Sequence, residues 1–141
     1  MNFLLDTNVL SEVRRPQPDA HVMAWLDQVD EDRVYLSVIS IAEIARGVAL
    51  MDGGKRKSEL AHWLEHELPA RFAGRVIPVD VPAALTWGRL LAQSKNSGVG
   101  LSVMDGWIAA IAQTHGLTLV TRNTKDFQNL GIAMLNPWEG E

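Results

Sequence analysis

The stretch Phe3-Leu4-Leu5-Asp6-Thr7-Asn8 decides the fold. Three consecutive apolar residues are too short a run for a helix. They show no polar alternation, which is the habit of a strand covered on both faces of a parallel sheet. Asp6 stands at the carboxyl end of that strand. Thr7 to Arg14 then reads as a short helix, stopped near Pro16.

The same strand-then-helix rhythm continues outward. Asp19 caps a second helix with Val22, Trp25, Leu26 and Val29 on one face. Val34 to Val38 is β-branched and aromatic and reads as a strand. Ile41 to Met51 is a helix, ended by Asp52-Gly53-Gly54. Lys55 to about Leu68 forms another, with Leu60, Trp63, Leu64 and Leu68 at helical spacing. Arg75 to Val79 is a third strand, and Pro82 to Ser94 a helix with Asp80 as its cap. Lys95 to Gly100 is a loop. Val103 to His115 is a helix closed by Gly116. Leu117 to Val120 is a fourth strand and Ile132 to Leu135 a short fifth.

This alternation predicts an α/β three-layer sandwich around a mainly parallel sheet of about five short strands. The 141 residues are expected to form a single domain, residues 1–141, without repeats or a long linker. There are no cysteines, which excludes disulfides, thiolate metal sites and a cysteine nucleophile. No apolar run reaches the roughly 18 residues of a membrane span, and the first residues lack signal-peptide character. A cytoplasmic location is expected. The net charge of −4 argues against broad electrostatic binding of nucleic acid. Local basic residues remain available to hold phosphates: Arg14, Arg15, Arg46, Lys55, Arg56, Lys57 and Arg122.

In such sheets ligands bind beyond the carboxyl ends of the strands, where strand order switches direction. Asp6 follows the first strand and Asn123 the fourth. Glu43 and Asp105 each open a helix, in Ser40-Ile41-Ala42-Glu43 and Ser102-Val103-Met104-Asp105. Each has a plain local explanation. Asp6 suits a cap, and both Ser-x-x-acid patterns suit capping boxes. Together they predict one acidic crevice. Carboxylate and amide oxygens suit Mg²⁺ or Mn²⁺, and crowded carboxylates predict at least one raised pKa. Thr7, Asn8 and Thr121 can hydrogen-bond a carboxylate, a water or a phosphate.

These motifs resemble those of PIN-domain ribonucleases, specifically the VapC-type toxins of toxin–antitoxin pairs and their FitB-like branch. The matching segments are Phe3 to Ser11, Ser37 to Ile44, Asp105 to Ala110, His115 to Asn123, and the terminal Asn136-Pro137-Trp138. The resemblance implies a PIN-like fold, cleavage of RNA, dependence on Mg²⁺ or Mn²⁺, and homodimerisation. It also implies a cognate antitoxin that blocks the site, with a higher toxin–antitoxin assembly open. Asp6, Glu43 and Asp105 carry over as metal-binding acids, and Asn123 as the fourth site residue. Asn123 stands where the family often has Asp, so a second metal is expected to bind more weakly. Asp126 is read first as a cap of the following turn and second as a contributor. Thr121 or Arg122 would help place phosphate.

Other readings stay in view. A catalytically silent PIN-like binding module keeps the fold for protein partners, and a DNA-directed nuclease shares the site. A phosphatase with Asp6 as nucleophile is disfavoured, because Asn8 stands where a second Asp would be needed. His62 and His66 read as a surface pair. Trp25 and Trp63 read as core anchors. Trp87, Met104 and Trp107 read as core, with a dimer seam or antitoxin groove as the alternative.

Overall fold

The computed structural model of the chain describes residues 1–98 and 100–140. Strand β1 (Phe3–Leu5) leads into α1 (Thr7–Val13) and α2 (Ala20–Gln28). Next come β2 (Val34–Ser37) and α3 (Val38–Leu50). Helix α4 (Lys55–His62) runs into a π turn (Trp63–Glu67) and the short α5 (Leu68–Arg71). After β3 (Val76–Ile77) stand α6 (Val81–Asn96) and α7 (Val103–His115). The chain finishes through β4 (Thr118–Val120), a 3-10 turn (Thr124–Phe127) and β5 (Met134–Leu135). Among the described residues no helix is long and apolar enough to cross a membrane.

The five strands pair in the order β3-β2-β1-β4-β5, and all four pairings are parallel. The expected α/β sandwich and its five short strands are therefore present. Successive strand residues point to opposite faces. Leu4 and Leu119 join the core under α6 and α7. Leu5, Leu36 and Val120 join the core shared with α1, α2, the π turn and α5. Helix α3 serves both, with Ile39 against the first core and Ile41 and Ile44 against the second.

Several elements differ from the sequence reading. The second strand stops at Ser37, whose hydroxyl accepts from Ser40 N at 3.2 Å, so α3 begins three residues earlier than expected. The helix after Lys55 does not end at Leu68 but continues to Arg71 through the π turn. Pro69 gives a reason. It has no N–H for the carbonyl of Glu65 and its ring crowds that carbonyl. The third and fifth strands are two residues long rather than five and four. Helix α6 extends to Asn96, which shortens the expected loop, and Val99 of that loop lies outside the described residues. Asp126 does not cap the last 3-10 turn. It lies inside it, and Asn123 occupies the cap position.

That turn is pinned by Phe127, only 1% exposed and part of the core beneath α7. Phe127→Ala should therefore lower unfolding free energy by about 3–5 kcal/mol, measured by chemical denaturation. Amide exchange near Asn123 should accelerate in the same variant. A loss under about 1 kcal/mol would show that the turn is held by other contacts.

Candidate active site

The switch in strand order falls between β1 and β4, which are adjacent while their outgoing chains travel to opposite sides of the sheet. Asp6 and Thr121 are the first residues beyond those two strands. The Asp6 N–H donates to the Val120 carbonyl at 2.9 Å, locking the two strand ends together. The carboxylate of Asp6 is almost fully enclosed, with 5% of the residue exposed. Its Oδ1 accepts from Thr7 N at 2.7 Å, and its Oδ2 from the Thr121 hydroxyl at 2.8 Å. The capping role expected of Asp6 is thus real, but it uses one oxygen only.

Asn8 ties the same elements together. Its Nδ2 lies 3.3 Å from Thr121 Oγ1 and 3.5 Å from Asp6 Oδ2, and its Oδ1 accepts from Arg122 N at 3.4 Å. Thr121 Oγ1 also accepts from Asn123 N at 3.0 Å, which orients the chain leaving β4.

Glu43 comes from the other side of the cleft. A capping box would engage its carboxylate at the start of α3, but the helix starts at Val38 and Ser37 caps it. Ser40 is instead fully buried within α3. Thr7 Oγ1 lies 2.6 Å from Glu43 Oε1 and 2.9 Å from Ser40 Oγ. A carboxylate can only accept, so the single Thr7 proton goes to Glu43. Glu43 is therefore held across the cleft by a residue of α1. Asp105 does follow its capping pattern: its N–H donates to Ser102 Oγ at 3.2 Å at the start of α7.

Asp6, Thr7, Asn8, Glu43, Asp105, Arg122 and Asn123 line one open cavity of about 440 Å³. Thr121 lies beneath it, bonded to Asp6, and Asp126 stands beside Asp105 as a neighbouring negative charge. Ser11, Glu12 and Trp138 also line the cavity and were not assigned to it from sequence, whereas Arg15, which lines it too, is one of the basic residues expected to hold phosphate. Glu12 is structural: its Oε2 accepts from Asp19 N at 2.9 Å, and its Oε1 lies 3.3 Å from Arg15 Nη1. Trp138 lies under Arg122, whose guanidinium carbon is 5.4 Å from the indole centroid. Asn136 completes this support through its Nδ2, which donates to the Arg122 carbonyl at 3.4 Å. The terminal Asn-Pro-Trp motif was visible in the sequence, but nothing there showed which residue it backed.

Burial pushes the Asp6 carboxyl up to about 6. The hydrogen bonds from Thr121 and Thr7 resist that rise, and the negative charges of Asp105 and Glu43 add to it. The Asp105 carboxyl is also raised, chiefly by burial and further by Asp126 and Glu43. Among the described residues no three acids or histidines converge tightly enough to form a finished metal cage. The acids stand as separate posts around one space.

Of the other basic residues, Lys57 Nζ donates to the Met51 carbonyl at 3.1 Å and closes the end of α3. Lys55 lies 3.9 Å from Glu59, and Arg46 lines neither this cavity nor its neighbour. His62 and His66 meet at a tilt of 38°, 4.9 Å between centroids, and neither lines the acid cavity. Trp25 and Trp63 pack against the second core as expected.

A carboxyl whose pKa is raised in the fold is a liability once it ionises. Below about pH 4 Asp6 is protonated both folded and unfolded, and it costs nothing. As the pH climbs from about 4 to about 6 the unfolded carboxyl ionises while the folded one keeps its proton, so stability falls by up to about 3 kcal/mol and levels off once the folded acid ionises too. Asp6→Asn keeps a capping oxygen. In EDTA at pH 7.5 it should raise the melting temperature, and the gain should vanish near pH 4. A variant less stable than the parent at pH 7.5 would contradict the raised pKa.

The PIN domain family model matches residues 3–133. Over 96% of this chain and 98% of its own length, Toxin FitB of Neisseria gonorrhoeae is 45% identical. VapC ribonuclease Y4jK of Sinorhizobium fredii is 43% identical over 97% of this chain and 98% of its own. The crystal structure of FitAcB from Neisseria gonorrhoeae superposes with a TM-score of 0.90 at 45% identity, covering 96% of this chain and 98% of that one. With an Asp6-centred cleft at the switch point of a fully parallel 3-2-1-4-5 sheet and these relatives along nearly its whole length, the chain belongs to the PIN domain family.

Proposed function

We propose that this protein is a metal-dependent endoribonuclease that hydrolyses RNA phosphodiester bonds as the toxin of a toxin–antitoxin pair. Its similarity to Toxin FitB and to a VapC ribonuclease over nearly the whole chain supports that reading. The observation that carries the chemistry is the single cleft lined by Asp6, Glu43, Asp105 and Asn123.

The donor set is entirely hard oxygen, which fits Mg²⁺ or Mn²⁺. Such ions keep several of their own waters and take only one or two carboxylates directly, so spaced acids suit them better than a closed cage would. Asp6, Glu43 and Asp105 are the residues that would hold the ion, directly or through water. When bound, the ion supplies charge neutralisation at the phosphate and a more acidic attacking water. Asp6 contributes a carboxylate that Thr7 and Thr121 keep in one orientation. Thr7 keeps Glu43 directed across the same space. Asn123 adds an oxygen without charge, so a second ion would bind more weakly than in a site with four acids. Arg122, backed by Trp138, supplies a guanidinium for phosphate at the cleft's edge.

The reading also includes a cytoplasmic location, a cognate antitoxin that covers this cleft, and a homodimer. The outer face of α6 supports the dimer. Val81 and Leu85 are 72% and 68% exposed there, one helical turn apart. Trp87 and Trp107 are both partly buried. They stack on each other, 4.5 Å between centroids, and Trp87 packs against the core. Met104 stays partly exposed at the start of α7.

Cleavage of structured RNA should require Mn²⁺ or Mg²⁺ and stop in EDTA. Asp6→Asn and Asp105→Asn should each lower the rate at least about a hundredfold, although metal-free Asp6→Asn is expected to melt higher than the parent. Full activity in either variant would sink the nuclease assignment. Leu85→Glu should shift the sedimenting species from dimer to monomer, and an unchanged dimer would move the interface elsewhere.

A further inference from the structure

A second cavity, of about 230 Å³, adjoins the acid cleft and shares Thr7, Ser11 and Glu43 with it. The two are one groove with a common wall. The character changes across that wall. The acid cleft gathers carboxylates, whereas the second cavity has Arg14 and Arg56 on its rim and an apolar floor that includes Ile44, Met51 and Leu60. Arg14 lies over the Trp63 indole, 5.3 Å from guanidinium carbon to ring centroid. Arg56 Nη2 donates to the Arg14 carbonyl, so the two cationic side chains are tied to one place.

One atom of Arg14 is left without a partner. Arg14 Nε is buried and has no hydrogen-bond partner among the described residues. A buried guanidinium N–H without an acceptor is costly. The acceptors that match its planar fork are phosphate and carboxylate. The floor is equally particular. Glu43 and Gly47 stand four apart on α3, so they share a helix face, and Met51 follows just past the helix end. Gly47 leaves that face without a side chain, and a Cβ built there meets nothing within 4 Å among the described residues. Glycine in a helix interior costs stability, yet here no neighbour excludes a larger residue. The space it leaves is part of the cavity.

We propose that this cavity is a nucleotide subsite. It takes the base of a residue flanking the scissile phosphate on the apolar floor beside the Arg14–Trp63 stack, and its phosphate on Arg14 and Arg56. Planar guanidinium and indole surfaces accept an unstacked base. The subsite rests on the ribonuclease reading and deepens it: it makes Arg14, Arg56 and Gly47 determinants of which RNA sequence is cut. In a chain of net charge −4, a paired cationic rim beside the acids is where a polyanion would be gripped.

The test uses an RNA oligonucleotide around a site cut by the wild-type protein in total RNA. In a matched series, single positions flanking the cut are made abasic. In wild type, one flanking abasic position should lower kcat/KM by about tenfold, mainly through KM. Gly47→Leu should fill the cavity, and Arg14→Lys keeps the charge but loses the fork. In both, that abasic penalty should shrink toward one, and the cut sites in total RNA should become less selective. Thermal denaturation checks folding, with one variant at the end of α1 and one within α3 as mutual controls. If wild type fails to cut intact RNA with Mn²⁺, the nuclease reading fails and the subsite falls with it. If wild type cuts but no flanking base matters, or the penalty is the same in both variants, the subsite alone is overturned. Unchanged RNA selectivity with loss of binding to an acidic peptide in both variants would assign the pocket to a protein partner instead.

Discussion

Asp6 is a carboxylate almost fully removed from water, positioned between the two central strands by a backbone hydrogen bond to Val120 and by the Thr121 hydroxyl. Much of the functional architecture follows from keeping it there. Burial alone would favour the neutral acid, and the neighbouring Glu43 and Asp105 push the same way. The N–H of Thr7 and the hydroxyl of Thr121 are the counterweights; the first is local to the start of α1, and the second depends on the β1–β4 pairing. If that pairing slipped by one residue, every side chain beyond it would change faces. The central register is therefore also the geometry of the site.

The hydroxyl residues carry more of the site than their type suggests. Thr7 engages Asp6 through its backbone and Glu43 through its side chain, coupling β1 to α3 in a single residue. Ser40, buried behind it, fills the space that a helix-capping serine would leave to solvent. Thr121 collects Asp6, Asn8 and Asn123 around one oxygen. A hydroxyl both donates and accepts, so small side chains can brace negatively charged groups without adding charge. The large charged residues are braced differently: Arg122 by Trp138 and Asn136, and Arg14 by Trp63.

Charge is segregated on a short length scale. The net charge is negative, yet guanidinium groups border the acids on two sides, Arg15 and Arg122 in the cleft and Arg14 and Arg56 in the adjoining cavity. Screening confines such effects to about 8–10 Å in ordinary salt. A groove lined this way presents cations to a passing phosphate backbone and carboxylates only at its centre, whatever the sign of the whole molecule.

The sequence by itself determined the α/β alternation and the parallel sheet, and it pointed to the acids that line one cleft. Unbroken apolar runs such as Phe3-Leu4-Leu5 can only be satisfied by burial on both faces, and polar residues at their carboxyl ends then fall where the sheet opens. It also gave correct caps at Asp19, Asp80 and Ser102, because capping is a local hydrogen bond. It misplaced the start of α3 because Ser37 and Ser40 offer equivalent local chemistry, and the choice rests on β2 ending in the sheet and Ser40 reaching Thr7 across 33 positions. The π turn before Pro69, the Arg122–Trp138 contact and the cavity beside Gly47 were likewise decided only in the tertiary structure. Each joins residues whose separation is set by packing, and no periodicity reports it. For Asp6 the division is plain: the sequence named the residue and its cap, and the fold alone made it a buried acid with a displaced pKa facing Glu43 and Asp105.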